Sequence, residues 1–331
     1  MKRVAYMLLC AALVISAFAG CKSKYTGIIK ETRPRPTVTE EVETDASGNA
    51  VYVGSVTWEM DGSTLIFSGD GTIDGKKGDT PSEWQSGVGD LTKVEKIVIN
   101  EGVVGIGEAA FTGCKNVKEV EFPSSLKKIG NRVFSGCTQL TKVTIPGTCT
   151  EIGNSVFNAC TGITELIIED GVEKIGNSAF QGCSSLTAIV VPNSVKSMGT
   201  YAFSGCSGLT DITLPDKLDT LGRGFFNMCS SLETITLPDS LISIGSDVFT
   251  DCKAMTYLEI PGNVTMISAA AFAGCDGLET IVVPPSVTFL AEKLFDDVSE
   301  NFKIQGEAGS YAEKFASEYP TPLAFEAIEF K

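Results

Sequence analysis

The sequence predicts an α/β repeat solenoid: a right-handed coil of about ten 23-residue repeats, with an N-terminal β-hairpin cap and a C-terminal helical cap. Three periodic columns carry that expectation. Phe111, Phe134, Phe157, Phe180, Phe203, Phe226, Phe249, Phe272 and Phe295 stand 23 residues apart. Cys114, Cys137, Cys160, Cys183, Cys206, Cys229, Cys252 and Cys275 keep the same step. So do Pro123, Pro146, Pro192, Pro215, Pro238, Pro261 and Pro284, with Glu169 in the one gap.

Each part of the unit has a physical reason. In Leu209-x-x-Ile212-Thr213-Leu214-Pro215, Ile212 and Leu214 alternate with Asp211 and Thr213, the period of a half-buried strand. Pro215 ends the strand because it has no N–H to donate. Leu218 and Leu221 point back inward, and Gly222 is expected to allow a turn. Phe226 and Cys229 then follow at a spacing of three, which predicts a short helical turn. A fixed period with L-x-x-L-x-L spacing marks a leucine-rich-repeat solenoid, in which stacking of coils supplies the core.

The ends must differ from the middle, because terminal coils have one open face. Around Asp61-Gly62, the stretch VTWEMDGSTLIFSG (56–69) reads as a hairpin. SGDGTIDGKKGD (68–79) reads as a surface loop, since its acidic spacing misses the EF-hand pattern. Trp84 follows in a polar loop and packs on the first coil. Ser310 and Glu313 make a capping box for a short closing helix whose apolar face is Ala312, Phe315 and Ala316. The expected organisation is residues 1–20 signal peptide, 21–47 flexible tether, 48–90 β cap, 91–304 solenoid and 305–331 C-terminal cap.

At the N-terminus, Lys2 and Arg3 precede an apolar run from Val4 to Phe18, too short for a spanning helix. Phe18-Ala19-Gly20-Cys21 resembles a bacterial lipobox, which implies cleavage before Cys21 and lipidation of that residue. The alternative is an ordinary secretory signal with Cys21 a stray thiol. After Cys21 the chain is rich in Lys, Arg, Pro and then Glu, with too few apolar residues to offset the entropy of folding.

The repeat resembles the BspA-like, or Treponema pallidum-type, leucine-rich repeats of bacterial surface proteins. GNSAFQGCSSLTAIVVPNSV (176–195) and its copies carry the resemblance. VTW with TLIFSGDG, and GEAGSYAEKFA, are similar to the opening and closing segments of that family. The resemblance implies an extracellular, non-enzymatic module; together with the lipobox-like Cys21, the expected place is the bacterial cell envelope, lipid-anchored and surface-exposed. Its expected partners are extracellular host or bacterial proteins, bound in the manner of an adhesin. A glycan-binding accessory lipoprotein, or a structural envelope protein facing the periplasm, are the alternatives.

Eight regular thiols raise the question of metal. Zinc needs about four ligands converging, usually in CxxC pairs or with histidine. The step here is 23 and there is no histidine. In the cysteine column the flanking coils hold Leu91 and Val298, so the site accepts plain apolar side chains. The reading is a buried thiol ladder. Disulfides between neighbouring coils are the alternative: coil spacing permits them, but parallel side chains oppose the near-90° dihedral. Cys149 falls in the column of Leu126, Val172, Val195 and Leu218 and is read as core.

The outward strand positions remain for a ligand. Ile167, Ala188 and Val190 form an apolar spot rimmed by Glu165 and Asp211, with Thr213 beside it. Tyr257 with Glu259 is a second candidate. The alternative is ordinary scattered surface apolar residues. Other chemistry is discouraged: the net charge of −15 opposes nucleic acid, and the missing histidine removes Ser-His-Asp and Cys-His nucleophiles. No metal, cofactor or catalytic residue is expected, and membrane contact is expected only through the lipid anchor.

Overall fold

In most repeats the alternating core residues form a strand that pairs in register with the strand 23 residues on. The computed structural model describes residues 55–330, with the backbone of two short antiparallel strands, Val42–Thr44 and Ala50–Tyr52. The signal peptide, Cys21 and the basic part of the tether lie outside the described residues. Lys142–Ile145 lies parallel to Glu165–Ile168, with Val143 opposite Leu166 and Ile145 opposite Ile168. All four of those apolar side chains face the core.

The predicted hairpin is present. Thr57–Asp61 runs antiparallel to Thr64–Ser68, and Gly62, at φ 60°, opens the two-residue loop. Thr64–Ser68 then pairs parallel with Lys96–Ile99, so the cap is continuous with the first strand ladder. At the other end Lys303–Gly306 is followed by a further parallel strand, Ala324–Ala327.

A second parallel ladder runs through the coils, which the repeat pattern did not reveal. It begins at Gly71–Ile73 and continues through Val103–Ile106, Lys128–Ile129, Glu151–Ile152, Lys174–Ile175 and Ser197–Met198. Thr220–Leu221, Ser243–Ile244, Met266–Ile267 and Phe289–Leu290 make its second section. Most of these strands hold two residues, too few for alternation to register. The expectation of a plain loop over 68–79 is therefore corrected: Gly71–Ile73 is a ladder strand and Ile73 is core.

The helical turn is also corrected. Phe134 and Cys137 share a face, joined by an N–H to carbonyl bond of 3.0 Å, but the segment is a chain of turns. The reason is a left-handed residue in every coil. Ala109, Arg132, Ser155, Ser178, Tyr201, Gly224, Asp247, Ala270 and Lys293 all have φ between 53° and 61°. A second such column, four residues on, holds glycine at Gly113, Gly136, Gly182, Gly205 and Gly274 and Ala159, Met228, Asp251 and Asp297 elsewhere. Left-handed residues break a right-handed helix. They turn the backbone so that its N–H groups reach the next coil: Phe134 N–H to Val156 O at 2.9 Å, Phe157 N–H to Ala179 O at 2.8 Å.

Gly222 was expected to serve a turn. Its φ is not left-handed. Its column holds glycine from Gly107 to Gly245, where successive coils approach closely, and Ser268 and Ala291 in the last two coils. A Cβ on Gly176 would lie 2.6 Å from backbone atoms of Gly153, and one on Gly153 2.7 Å from Gly130.

Inside, the phenylalanines stack ring on ring. Phe134 and Phe157 are 5.4 Å apart and 1° from parallel; Phe249 and Phe272 are 5.5 Å apart and 5° from parallel. Each buried aromatic contributes about 2–3 kcal/mol from area alone. Both ends of the stack are covered. Trp84 sits in a short helix, Glu83–Val88, not a loop, and packs against Phe67 and Phe111. Next to it, buried Gln85 donates to the carbonyl of Ala110 at 2.7 Å. That carbonyl matches Val133 O one coil later, so the amide replaces the donor of a missing coil.

At the far end Phe302 and Phe315 contact Phe295. The helix Tyr311–Glu318 buries Ala312 and Ala316. Ser310 accepts from Glu313 N–H as expected, while the Glu313 carboxylate accepts from Gly309 N–H, one residue earlier than in a standard box.

Two substitutions test the backbone account. Gly176→Ala forces coils apart and is expected to cost about 2 kcal/mol in urea unfolding. Met228, exposed and left-handed at φ 61°, loses strain as glycine. Met228→Gly should gain about 0.5 kcal/mol after the unfolded-state entropy is set against it.

Candidate functional site

The cysteines belong to the scaffold. Cys114, Cys137, Cys160, Cys183, Cys206, Cys229, Cys252, Cys275 and Cys149 are all buried and all free thiols. Seven of them donate S–H to a phenylalanine carbonyl of the preceding coil, as Cys206 does to Phe180 O at 3.3 Å and Cys275 to Phe249 O at 2.9 Å. The same carbonyl accepts the N–H of the cysteine in its own coil. Burial pushes the Cys160, Cys206 and Cys275 thiols up to about 12, and Cys149 to about 11. These groups are held as neutral thiols, the unreactive form.

The first strand ladder points its other side chains to solvent. Glu165, Ile167, Ala188, Val190, Asp211, Thr213, Tyr257 and Glu259 are all exposed. Val190 is 63% exposed and Ile167 41%. Register sets Ala188 against Asp211 and Val190 against Thr213. Glu165 is paired with Lys142 at 2.6 Å. Val282, in the same outward column, is buried.

This face is not one unbroken sheet. The ladder runs from the hairpin to Glu165–Ile168, resumes for Ala188–Val190 with Asp211–Thr213, and resumes again at Tyr257–Glu259. Thr234–Leu237, between the last two, pairs with neither neighbour, although Ile235 and Leu237 remain in the core. On the turn side the column of bonds continues through the same coils, with Phe203 N–H to Phe225 O and Phe226 N–H to Val248 O. At Thr234–Leu237 the coils therefore splay on the first-ladder side while the turn side stays closed; the second ladder is broken one coil earlier, between Ser197–Met198 and Thr220–Leu221. A cleft of about 390 Å³ opens beside Thr234–Leu237 towards Tyr257 and Glu259, and another of about 270 Å³ opens towards Asp211 and Thr213.

Charge is uneven along the solenoid. Residues 91–210 hold ten basic and ten acidic side chains; residues 211–300 hold four and fourteen. The first half neutralises itself coil to coil through pairs such as Lys118–Glu95 at 2.9 Å, Lys128–Glu151 at 3.0 Å and Lys196–Glu173 at 2.8 Å. Each exposed pair adds little stability. Collectively they leave that half neutral, while the second half is strongly anionic.

A family model for the BspA type leucine rich repeat region matches residues 90–206 and 173–301, in six copies. The chain belongs to the BspA-type leucine-rich repeat family. Among solved structures, the pneumococcal vaccine antigen PcpA aligns at 19% identity, TM-score 0.51, over 72% of this chain and 69% of that one. A leucine rich cell surface protein from Faecalibacterium prausnitzii A2-165 aligns at 23% identity, TM-score 0.38, over 83% of this chain and 97% of that one. A leucine rich repeat protein from T. pallidum aligns at 20% identity, TM-score 0.37, over 67% and 91%. No functionally curated protein matches the sequence. Among the described residues of this BspA-type repeat chain, no helix is long and apolar enough to cross a membrane.

Sequence reasoning missed exposed Met266 and Phe289, which lie in register on the second ladder. They occupy the outward column of Lys128, Glu151 and Lys174, and that column was invisible while the second ladder was unrecognised. It also missed Asp239 and Phe330, which join Tyr257 and Glu259 around the larger cleft.

The thiol column makes a two-part prediction. Native protein should resist alkylation at the nine buried positions, and all should react in denaturant; mass spectrometry reads the count. The thiol pKa values are raised in the fold, so their stabilising neutrality is complete below the ordinary thiol value of 9 and is lost as pH rises towards 12. Urea midpoints should therefore fall steeply over that interval.

Proposed function

We propose that this protein is a non-enzymatic, lipid-anchored surface protein that binds extracellular host or partner-cell proteins through the outward strand face. The observation that carries the reading is the pair Ile167 and Val190, exposed on adjacent coils on either side of the first break in the strand ladder. Exposed apolar side chains held by a sheet and rimmed by polar groups suit a protein contact, because they bury area at no cost in backbone ordering. Glu165, Ala188, Asp211 and Thr213 surround them. Membership of the repeat family supports a binding module, since a stacked solenoid offers a long, regular surface. Cys21 supplies the anchor in this reading.

Two measurements test it. Intact cells treated with protease should lose the solenoid; protection would place it behind the outer surface. Purified protein should bind saturably to at least one immobilised extracellular-matrix or bacterial surface protein. Ile167→Asp with Val190→Asp should weaken that binding at least tenfold while leaving the urea midpoint in place. Saturable binding that ignores both substitutions overturns the assignment of the face.

A further inference from the structure

The cleft beside Thr234–Leu237 has a chemistry unlike the rest of the surface. Its lining includes apolar Ile235, Leu237 and Ile260, two aromatic residues, Tyr257 and Phe330, and two acidic residues, Asp239 and Glu259. Its volume, about 390 Å³, is in the range that holds one large side chain or small ligand. It exists because the ladder fails to close there. The backbone N–H and C=O groups of Thr234, Ile235, Thr236 and Leu237 make no hydrogen bond to any described residue.

The charges in the cleft are equally unmatched. Carboxylates on the same face of the first half have lysines: Glu119 and Glu121 share Lys96, and Glu165 has Lys142. Asp239 and Glu259 have no basic partner among the described residues. They sit in the half where acidic groups outnumber basic ones fourteen to four. Aromatic faces beside free carboxylates are the two elements that recognise an organic cation: the ring quadrupole attracts it, and the carboxylate pairs with it.

We infer that this cleft receives a cationic side chain, lysine or arginine, carried by the protein partner. The inference rests on the protein-binding reading above and names the partner's chemistry. The alkyl stem lies against Ile235, Leu237 and Pro261, the charged head meets Glu259 and Asp239, and Tyr257 and Phe330 flank it. The open backbone of Thr234–Leu237 supplies further polar contacts to the partner's main chain. The anionic second half steers a basic surface towards the cleft, which makes association faster at low salt.

The test uses full-length protein and fluorescent hexalysine and hexaarginine peptides, with hexaglutamate as a control, followed by anisotropy at low and physiological salt. Saturable binding of a cationic peptide is expected at both salt concentrations, with none for hexaglutamate. Asp239→Asn with Glu259→Gln should weaken it at least tenfold. Asp276→Asn with Glu292→Gln changes net charge equally at residues that do not line the cleft, and should weaken it less than twofold. Tyr257→Leu should weaken it several-fold. Equal losses from both charge-neutralising pairs, or binding that vanishes at physiological salt, overturn the cleft as the site and leave only diffuse attraction. If the cleft variants fail to alter peptide binding while Ile167→Asp with Val190→Asp still abolishes binding to the immobilised protein, the cleft is wrong and the face reading stands. Loss of neither interaction by any variant overturns both.

Discussion

Coil register is the constraint on which everything else depends. Each coil donates N–H groups on its turn side to carbonyls 22 residues further on, as Phe134 does to Val156 and Phe157 to Ala179. Those bonds form only if every coil has the same length. The same register puts ring over ring in the phenylalanine column and thiol beneath carbonyl in the cysteine column. The left-handed residue at Arg132, Ser155 and Ser178 is the local cost of aiming those N–H groups across coils instead of along a helix. Repetition spreads that cost evenly, and the buried aromatic of each coil offsets it.

Much of the fold was legible in the sequence because a solenoid writes its core as columns. Nine phenylalanines at a constant step name the coil length, and Ile212, Leu214 and Pro215 name the strand and its end. Three features were not legible, each for a physical reason. The second ladder uses strands such as Lys128–Ile129, shorter than one period of alternation. The turn chain looked helical because Phe and Cys at a spacing of three share a face in both structures, while the left-handed residue between coils has no type preference: alanine, arginine, serine and tyrosine all serve. The glycine column is a close-contact column, and a glycine in sequence does not say whether it turns or touches.

The candidate site divides in the same way. Exposure of Val190, Ile167 and Tyr257 followed from strand alternation and could be read in advance. The split of the face could not. Nothing in Glu233-Thr234-Ile235-Thr236-Leu237 differs in pattern from Leu209–Pro215, yet one strand is paired and the other is not. I-T-L and its neighbours bury the same side chains either way, so the core pattern is silent about the ladder bonds. The charge gradient was present in the sequence from the start. It acquires meaning only when ion pairs between coils are seen to engage six of the ten basic residues of the first half.

Register can be tested directly by deleting chain of two lengths. Removing residues 182–204 takes out one whole coil and joins Gln181 to Gly205, which stands where Gly182 stood. Removing Ser185 alone shortens one coil by a residue on the surface. Urea unfolding of both variants measures the difference. The whole-coil deletion is expected to remain folded and cooperative, with stability reduced in proportion to one repeat and its interface. The single deletion is expected to lose more stability than the whole coil does, because it breaks the ladders on both sides. Tolerance of the single deletion as if it were an ordinary loop change, or collapse on removal of the whole coil, would contradict the account.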